Sequence, residues 1–350
     1  MSGAELTAVR AGHALDEAAL SSFLAVNLPG FAGPLALRQF AGGQSNPTFL
    51  VETPGRNYVL RKKPSGALLP GAHAVEREFR ILRALATSEV PVPQPLLLCD
   101  DAAVLGTPFY VMEHVEGRVA RHASLPGATS ASRAAIYDAM NETLALLHRI
   151  DWQSAGLADF GKQGDYIARQ VRLWARQYEA SRTHDIPAMD RLIEWLPRHI
   201  PIDDQTTIAH GDFRLENLVL HPTEDRVLAV LDWELATLGH PLSDLAFNCM
   251  VYRVPPEMPG LRGVAGLDLA ALGIPSEHDY VADYCRRTGR KHIAAWDFYL
   301  AFAMFRSAAI LQGVYARALQ NNAANPDALT VGRVAAPLSD IAWRLVADRA

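Results

Sequence analysis

The pattern of apolar and polar positions changes along the chain near residue 113. Before it, apolar residues form short runs, such as 49–51 and 109–112, that are separated by Gly, Pro and charged residues. Runs of this kind are typical of β-strands. The stretch 74–85 differs, because Phe79, Leu82 and Leu85 recur at helical spacing. We therefore expect residues 1–113 to form strands with one main helix.

Beyond residue 117 the spacing of apolar residues becomes helical. Ile136, Met140, Leu144 and Leu147 recur at intervals of three and four residues, which predicts a helix with one buried face. Helical spacing returns after residue 279, and strand-like runs are confined to about 208–232. This pattern therefore predicts an α+β protein with an N-terminal domain at 1–113 and a mostly helical domain at 114–350.

A dense group of polar residues interrupts this pattern at 210–217, which reads His-Gly-Asp-Phe-Arg-Leu-Glu-Asn. Asp212 precedes Asn217 by five residues, and Asp232 follows an apolar run at 227–231. Phosphoryl transfer to a hydroxyl needs one carboxylate beside the attacking oxygen and oxygen ligands for magnesium. Asp212 suits the first role, and Asn217 with Asp232 suits the second.

Parts of this motif also have a more ordinary interpretation. Asp and Asn are common in turns, where they hydrogen-bond to nearby backbone. The complete motif, joined to a strand that ends in Leu231-Asp232-Trp233-Glu234, favours catalysis over a simple turn. His210 is a candidate catalytic residue by position, but its imidazole is better suited to bracing the loop through hydrogen bonds.

These residues resemble the aminoglycoside phosphotransferase and choline kinase superfamily, the small-molecule relatives of protein kinases. His210-Gly211-Asp212 and Asn217 match its catalytic loop, Asp232 matches its second metal-binding Asp, and Asp244 matches an Asp that braces the loop. The sequence of residues 230–246 also resembles the kinase-like domain that is fused to acyl-CoA dehydrogenase domains in some animal proteins and stands alone in many bacteria. The likeness runs from about residue 40 to residue 248.

The resemblance implies a bilobal protein-kinase-like fold with a hinge at about 112–117, and it implies ATP and Mg²⁺ as cofactors. Residues 40–51 then form a strand, a turn and a strand against the phosphates. Gly42 and Gly43 permit a tight turn, and Ser45 and Asn46 offer hydrogen-bond donors. A plain hairpin has the same residues.

A phosphate-binding cation is implied in the next strand, at 58–64. Arg61 falls where kinases usually carry Lys, and Glu78 resembles the helix Glu that pairs with that cation, although Glu76 is an alternative. Because side chains alternate along a strand, Arg61 and Lys63 point to one face and Lys62 to the other. The sequence leaves open which of the three meets ATP, and a solvated basic strand end is the simpler alternative.

At the implied hinge, Met112, Glu113 and Val115 are the candidates for contact with adenine. The backbone of this segment meets the base in relatives, and Met112 would face the adenine pocket. A single Met suits an ordinary core position equally well.

Composition narrows the class of protein further. The chain has 350 residues, 20% of them charged, and a net charge of −5, which gives no sign of a nucleic-acid-binding protein. No run of about 18 apolar residues predicts a membrane span, and the first residues do not resemble a secretory signal. Three scattered cysteines match no zinc spacing. We expect a cytoplasmic protein with buried thiols.

The sequence therefore predicts an ATP- and Mg²⁺-dependent phosphotransferase that acts on a hydroxyl of a small molecule. The resemblance to the fused relatives implies a hydroxyacyl-CoA as acceptor. An antibiotic, sugar or amino-alcohol kinase stays open, as does a non-catalytic ATP-binding pseudokinase. No dinucleotide-binding G-x-G-x-x-G motif follows a strand, so a dehydrogenase name would reflect fused relatives. The oligomeric state is open.

A basic cluster at 286–291, Arg-Arg-Thr-Gly-Arg-Lys, is not explained by the kinase motifs. It has the chemistry to attract phosphates or a CoA group. A solvated loop between two helices is the alternative interpretation.

Overall fold

The computed structural model describes residues 6–41, 46–66, 73–320 and 327–349. The chain forms two compact units. The first contains Met1–Ala120, Gln153–Leu157 and Glu216–Ala236, and the second contains Arg121–Trp152, Ala158–Leu215 and Thr237–Ala350. The first unit thus takes up two segments that come late in the chain. The predicted division at about 112–117 stays a prediction.

Ten strands lie within the described ranges. In chain order they are β1 Leu6–Thr7, β2 Ala36–Phe40, β3 Thr48–Glu52, β4 Tyr58–Lys62, β5 Pro95–Cys99, β6 Phe109–Glu113, β7 Thr207–Ala209, β8 Leu218–Leu220, β9 Val227–Val230 and β10 Thr237–Gly239.

Twelve α-helices lie within the same ranges. They are α1 Glu17–Asn27, α2 Val75–Leu85, α3 Ala102–Leu105, α4 Ser130–Arg149, α5 Tyr166–Ser181, α6 Pro187–Trp195, α7 Pro241–Cys249, α8 Leu269–Leu272, α9 Glu277–Thr288, α10 Trp296–Leu319, α11 Ala328–Gly332 and α12 Ala335–Val346.

The first unit is built on an antiparallel sheet of six strands in the order β1-β2-β3-β4-β6-β5. Side chains alternate between its two faces. Phe49 and Leu60 lie directly opposite each other on β3 and β4, and both are fully buried in the core that includes Leu20 and Leu24 of α1. The predicted antiparallel sheet is confirmed.

Helix α1 is a correction to the prediction of one main helix in this region. It has eleven residues, as many as α2. Asp16 caps its N-terminus by accepting a hydrogen bond from the Ala19 N–H, and Leu20 and Leu24 supply its buried stripe. A capping Asp followed by two apolar residues four positions apart is a weak signal for a helix. The sequence therefore did not lead to a prediction of α1.

Helix α2 lies on the opposite face of the sheet. Phe79 is 6.0 Å from the ring of Tyr110 in β6, and the Lys63 ammonium is 2.5 Å from the Glu76 carboxylate. The predicted alternation along β4 is therefore observed, because Arg61 and Lys63 both reach α2. The Lys62 side chain leaves the strand on the other face, where it is buried.

The late segment at 216–236 belongs to the first unit through backbone hydrogen bonds. The Val230 N–H donates to the Pro91 carbonyl (2.8 Å), and Arg118 and Leu220 exchange two hydrogen bonds of 2.9 and 2.8 Å. Gly117 permits this approach, since a Cβ there would lie 2.3 Å from the Leu220 carbonyl oxygen. These bonds place the β8–β9 hairpin against the sheet-bearing part of the chain.

The second unit is mostly helical, as predicted. Ile136, Met140, Leu144 and Leu147 are all buried in α4. Helix α10 is long and apolar enough to cross a membrane, but 72% of its most apolar stretch is buried inside the protein. Its burial, and the charged Arg306 at its centre, indicate the core helix of a globular unit.

His240 gives this unit a pH-dependent element of stability. Its Nδ1 accepts a hydrogen bond from the Leu242 N–H (3.2 Å) and so caps α7, while its ring stacks on Tyr299. Burial lowers the pKa of His240 to about 4. Protonation would remove the accepting lone pair, so the neutral form stabilises the fold.

We expect this contribution to be complete above pH 6.5 and to be lost as the pH falls through about 4. The loss should approach about 3 kcal/mol of unfolding free energy. His240→Asn keeps a capping oxygen but does not titrate, so its urea-unfolding free energy should fall less between pH 7 and pH 4 than that of the unchanged protein. Parallel curves for the two proteins would contradict this assignment.

Candidate active site

Arg61 is the centre of a buried ionic cluster in the first unit. Its Nε lies 2.8 Å from Glu78 Oε2, and its Nη2 lies 2.8 Å from Asp232 Oδ1 and 3.3 Å from Glu234 Oε2. The Arg61 side chain is 9% exposed, so water screens these charges little. The cluster joins β4, α2 and the turn that follows β9.

Glu78 is held by neutral donors as well as by Arg61. Asn46 Nδ2 donates to Glu78 Oε1 (2.7 Å), and the Tyr110 hydroxyl donates to Glu78 Oε2 (3.1 Å). These contacts fix the carboxylate that positions the guanidinium. The helix Glu favoured by the sequence is thus the residue beside Arg61, whereas Glu76 is paired with Lys63.

Three carboxylates in this cluster share a single guanidinium. Burial opposes the charge on Arg61, but Glu78 and Asp232 overcome it and raise the pKa of Arg61 above its ordinary value. Burial, with Asp232 and Glu234, raises the pKa of Glu78 to about 7, although Arg61 acts in the opposite direction. The cluster therefore has an excess of negative charge that a further cation would neutralise.

Backbone geometry places Asn217 beside Asp232. The Leu231 N–H donates to the Asn217 carbonyl (2.8 Å), and Leu218 pairs with Val230 across the β8–β9 hairpin. Asp232 has φ of 65°, in the left-handed region, which ends the strand at the carboxylate. The two predicted metal ligands thus lie side by side at the open end of the β8–β9 hairpin, just before β8 and just after β9.

This arrangement fits a magnesium ion. The Asp232 side chain is 34% exposed, and it carries the oxygen ligands that magnesium prefers. Within the described ranges no three His, Cys, Asp or Glu side chains are placed to hold a metal together. Magnesium characteristically takes only one or two protein carboxylates and completes its shell with phosphates and water.

The loop that carries Asp212 lies in the second unit and is held by Asp244. The His210 N–H donates to Asp244 Oδ2 (2.6 Å), and the Gly211 N–H donates to Asp244 Oδ1 (2.9 Å). Burial opposes the charge on Asp244, but its hydrogen bonds and the neighbouring His148 keep its pKa below the ordinary value. A fully buried carboxylate that accepts two backbone N–H groups fixes the loop conformation.

The other side of this loop is held by Arg306, which was not among the residues predicted from the sequence. Arg306 Nη2 donates to the Gly211 carbonyl (2.7 Å), and its guanidinium lies over the rings of Trp174 and Phe247. Its sequence signal is a charged residue in the middle of the apolar helix α10, because a buried cation needs a partner.

His210 itself is fully buried. Its Nδ1 accepts a hydrogen bond from the Asp212 N–H (3.2 Å), and its ring meets Phe213 edge-on. These contacts agree with a bracing role. The Asp212 side chain is about a quarter exposed, and Arg214 Nε lies 3.6 Å from its Oδ1.

Of the remaining predicted nucleotide-binding residues, the structure describes only some. Gly42, Gly43 and Ser45 lie outside the described residues. Met112 is buried in β6 opposite Val59. The Glu113 N–H donates to the Gln94 carbonyl (2.9 Å), so strand pairing engages that donor. The adenine contacts predicted for Met112, Glu113 and Val115 stay predictions.

Comparison with known proteins agrees with these features. A model of the phosphotransferase enzyme family matches residues 36–280. The chain belongs to this family. The resemblance inferred from the catalytic loop is thereby confirmed, and the match extends beyond the predicted limits of about 40 and 248.

This phosphotransferase is 50% identical to a putative aminoglycoside phosphotransferase of Ralstonia eutropha JMP134, whose crystal structure has a TM-score of 0.88. The match covers 96% of this chain and 99% of the other. A thermostable mutant of aminoglycoside phosphotransferase APH(4)-Ia, crystallised with AMP-PNP and hygromycin B, is 18% identical with a TM-score of 0.60 over 93% of this chain and 98% of its own. The latter comparison shows the fold alone, and with it the kinase-like fold class is confirmed.

Curated relatives of the phosphotransferase carry a different name. Mouse acyl-CoA dehydrogenase family member 10 is 52% identical over 89% of this chain and 29% of its own length. Human acyl-CoA dehydrogenase family member 11 is 44% identical over 97% of this chain and 44% of its own length. The chain thus spans less than half of the length of these relatives.

Proposed function

We propose that this phosphotransferase transfers the γ-phosphoryl group of ATP to a hydroxyl of a small molecule. The observation that carries the proposal is the Asp212 loop, which Asp244 fixes from one side and Arg306 from the other. A catalytic base needs its backbone held while its carboxylate stays accessible, and Asp212 meets both conditions. Asp212 would accept the proton of the acceptor hydroxyl as its oxygen attacks phosphorus.

Asn217 and Asp232 would hold Mg²⁺, and their place side by side at the open end of the β8–β9 hairpin supports this role. When bound, the ion would neutralise charge on the phosphates of ATP. Arg61 would add a fixed positive charge, held by Glu78. Its contacts with Glu78 and Asp232 favour it over Lys62, which leaves β4 on the opposite face, and over Lys63, which is paired with Glu76.

For the acceptor we propose a hydroxyacyl-CoA. The support is the similarity to relatives named for acyl-CoA chemistry, one of them 52% identical. The dehydrogenase activity in their name would reside in the part of those proteins that this chain does not cover. The similarity to a putative aminoglycoside phosphotransferase supports a second candidate, an antibiotic acceptor.

The cellular setting is a further proposal. Cys99, Cys249 and Cys285 are all buried and unpaired, which supports a reducing compartment such as the cytoplasm.

The proposal is tested by mass spectrometry of reactions with Mg-ATP. The acceptor panel contains hydroxyacyl-CoAs, aminoglycosides, macrolides, choline and simple sugars, and Asp212→Asn protein runs alongside. A phosphoryl mass gain on one acceptor that disappears with the variant would support the reaction and identify the acceptor class. ATP binding without any transfer would support the pseudokinase alternative, and a protein that does not bind ATP would refute the proposal.

A further inference from the structure

A cavity of about 560 Å³ lies entirely within the second unit, at the C-terminal end of α9 and the N-terminal end of α10. Four cationic side chains line it, against one carboxylate. The cations are Arg253, Arg286, Arg290 and Lys291, and the carboxylate is Glu277. The basic cluster noted in the sequence is divided between two elements, because its first three residues end α9 and its last three follow the helix.

The single carboxylate is already engaged by its neighbours. Glu277 Oε2 lies 2.6 Å from Arg253 Nε, and Glu277 Oε1 accepts a hydrogen bond from Trp296 Nε1 (2.7 Å). Arg286 reaches Asp283 on the surface of the same helix. These carboxylates therefore offset the charges of Arg253 and Arg286 and leave those of the other two cations in the lining.

Arg290 and Lys291 account for that remaining charge. Arg290 Nη2 donates a hydrogen bond to the neutral Gln205 Oε1, and the carboxylate paired with Arg290 is 3.9 Å away, at Asp203 Oδ2, so its charge is only weakly offset. Lys291 is exposed and forms no ion pair with any described residue. Two cations without a close carboxylate at one cavity are suited to a multiply charged anion.

The rest of the cavity lining is apolar. Val281 and Cys285 of α9, Ile293 and the indole of Trp296 contribute this surface. Contact with a flat or aliphatic group would bury this apolar surface, while the cations of the lining would hold an anion. A simple inorganic ion would use only half of this lining.

We propose that this cavity binds an organic phosphate. Arg286, Arg290 and Lys291 hold its phosphate groups, and Ile293 with Trp296 contacts its apolar or aromatic body. The organic phosphate has two candidate sources, a phosphorylated tail of the acceptor or a separate regulatory metabolite. The first rests on the proposed function, and the second does not.

The cavity is also connected to the catalytic loop through buried side chains. Arg290 lies close enough to Tyr284 to act against the effect of burial, which raises the pKa of that phenol. The Tyr284 hydroxyl is 2.6 Å from His148 Nδ1, and His148 Nε2 is 3.5 Å from Asp244 Oδ2. Asp244 holds the Asp212 loop, so a ligand on Arg290 acts on residues that support the loop.

The test is a calorimetric titration of adenosine 3′,5′-bisphosphate, which joins an aromatic ring to two phosphates. Saturation with AMP-PNP and Mg²⁺ first fills any ATP site. We expect saturable one-site binding, weakened about tenfold or more in the Arg286→Ala/Lys291→Ala protein. Lys162→Ala removes an exposed cation elsewhere in the unit and should bind as the unchanged protein does. No binding up to about millimolar concentration, or equal affinity in the double variant, would overturn the proposal.

A second measurement distinguishes the two sources. If the ligand is part of the acceptor, the double variant should raise KM for the phosphorylated acceptor about fivefold or more and keep kcat. If it is a regulator, that KM should stay unchanged while the bisphosphate alters kcat of the unchanged protein only. A double variant with the circular dichroism and melting temperature of the unchanged protein is required for both comparisons. Because the calorimetry needs no turnover, failure of the cavity proposal is separable from failure of the proposed function.

Discussion

Asp212→Asn is expected to lower kcat by about a thousandfold and to leave the affinity for Mg-ATP within about twofold of its original value. The amide has the shape of the carboxylate but cannot accept the hydroxyl proton. The loop should keep its conformation, because Asp244 and Arg306 hold it through the backbone of residues 210 and 211. Steady-state kinetics with the acceptor from the mass-spectrometric panel, together with calorimetry of AMP-PNP binding, measure the two effects separately.

Asp185→Asn is the matched control for this substitution. Asp185 is 86% exposed and forms only a surface ion pair with Arg182, so removing its charge should leave kcat unchanged. An Asp212→Asn protein with full activity would remove Asp212 as the base. A protein that loses ATP binding to the same degree as turnover would indicate a structural role instead.

The parts of the site that could be predicted from the sequence are those carried by contiguous residues. Asp212, Asn217 and Asp232 follow from one short motif and the strand after it. The strand alternation that separates Arg61 and Lys63 from Lys62 follows from local geometry. The pairing of Arg61 with Glu78 was implied by the family resemblance, because the two residues lie on different elements. A local rule determines the alternation because Arg61, Lys62 and Lys63 follow one another along the chain.

The residues that could not be predicted act across long distances in the sequence. Arg306 reaches Gly211 from 95 residues away, and Tyr284 reaches His148 from 136 residues away. Neither pair has a characteristic spacing, because the packing of separate helices brings the residues together. A buried charged residue on an apolar helix indicates that a partner exists, but it does not identify that partner.

Glu234 was missed for a different reason. It stands next to the motif, two residues after Asp232, but its role in the site comes from the charge that it adds beside Arg61. With Glu78 and Asp232 it gives three carboxylates around one guanidinium. Sequence spacing shows where carboxylates lie along the chain, whereas the excess of negative charge becomes visible only when α2 and the turn after β9 are placed on the same cation.

The excess of negative charge around Arg61 favours a bound cation at Asp232. We therefore expect the second large effect on activity from Asp232→Ala. Without this carboxylate the Mg²⁺ concentration for half-maximal activity should rise about tenfold or more, and kcat should fall about a hundredfold. Loss of Asp232 leaves Asn217 as the remaining predicted ligand and releases Arg61 from its 2.8 Å contact. Magnesium titrations of activity and calorimetry of AMP-PNP at several Mg²⁺ concentrations measure both quantities.

Glu234→Gln separates metal binding from the pairing of Arg61. It removes the other carboxylate near Arg61 Nη2, at 3.3 Å, and leaves Asp232 in place. If Asp232 acts as a metal ligand, the Glu234→Gln protein should keep its magnesium dependence within about threefold, because the ion does not rely on Glu234. Equal losses in the two variants would show that these carboxylates serve only to hold Arg61. An unchanged magnesium dependence in Asp232→Ala would contradict the metal role directly.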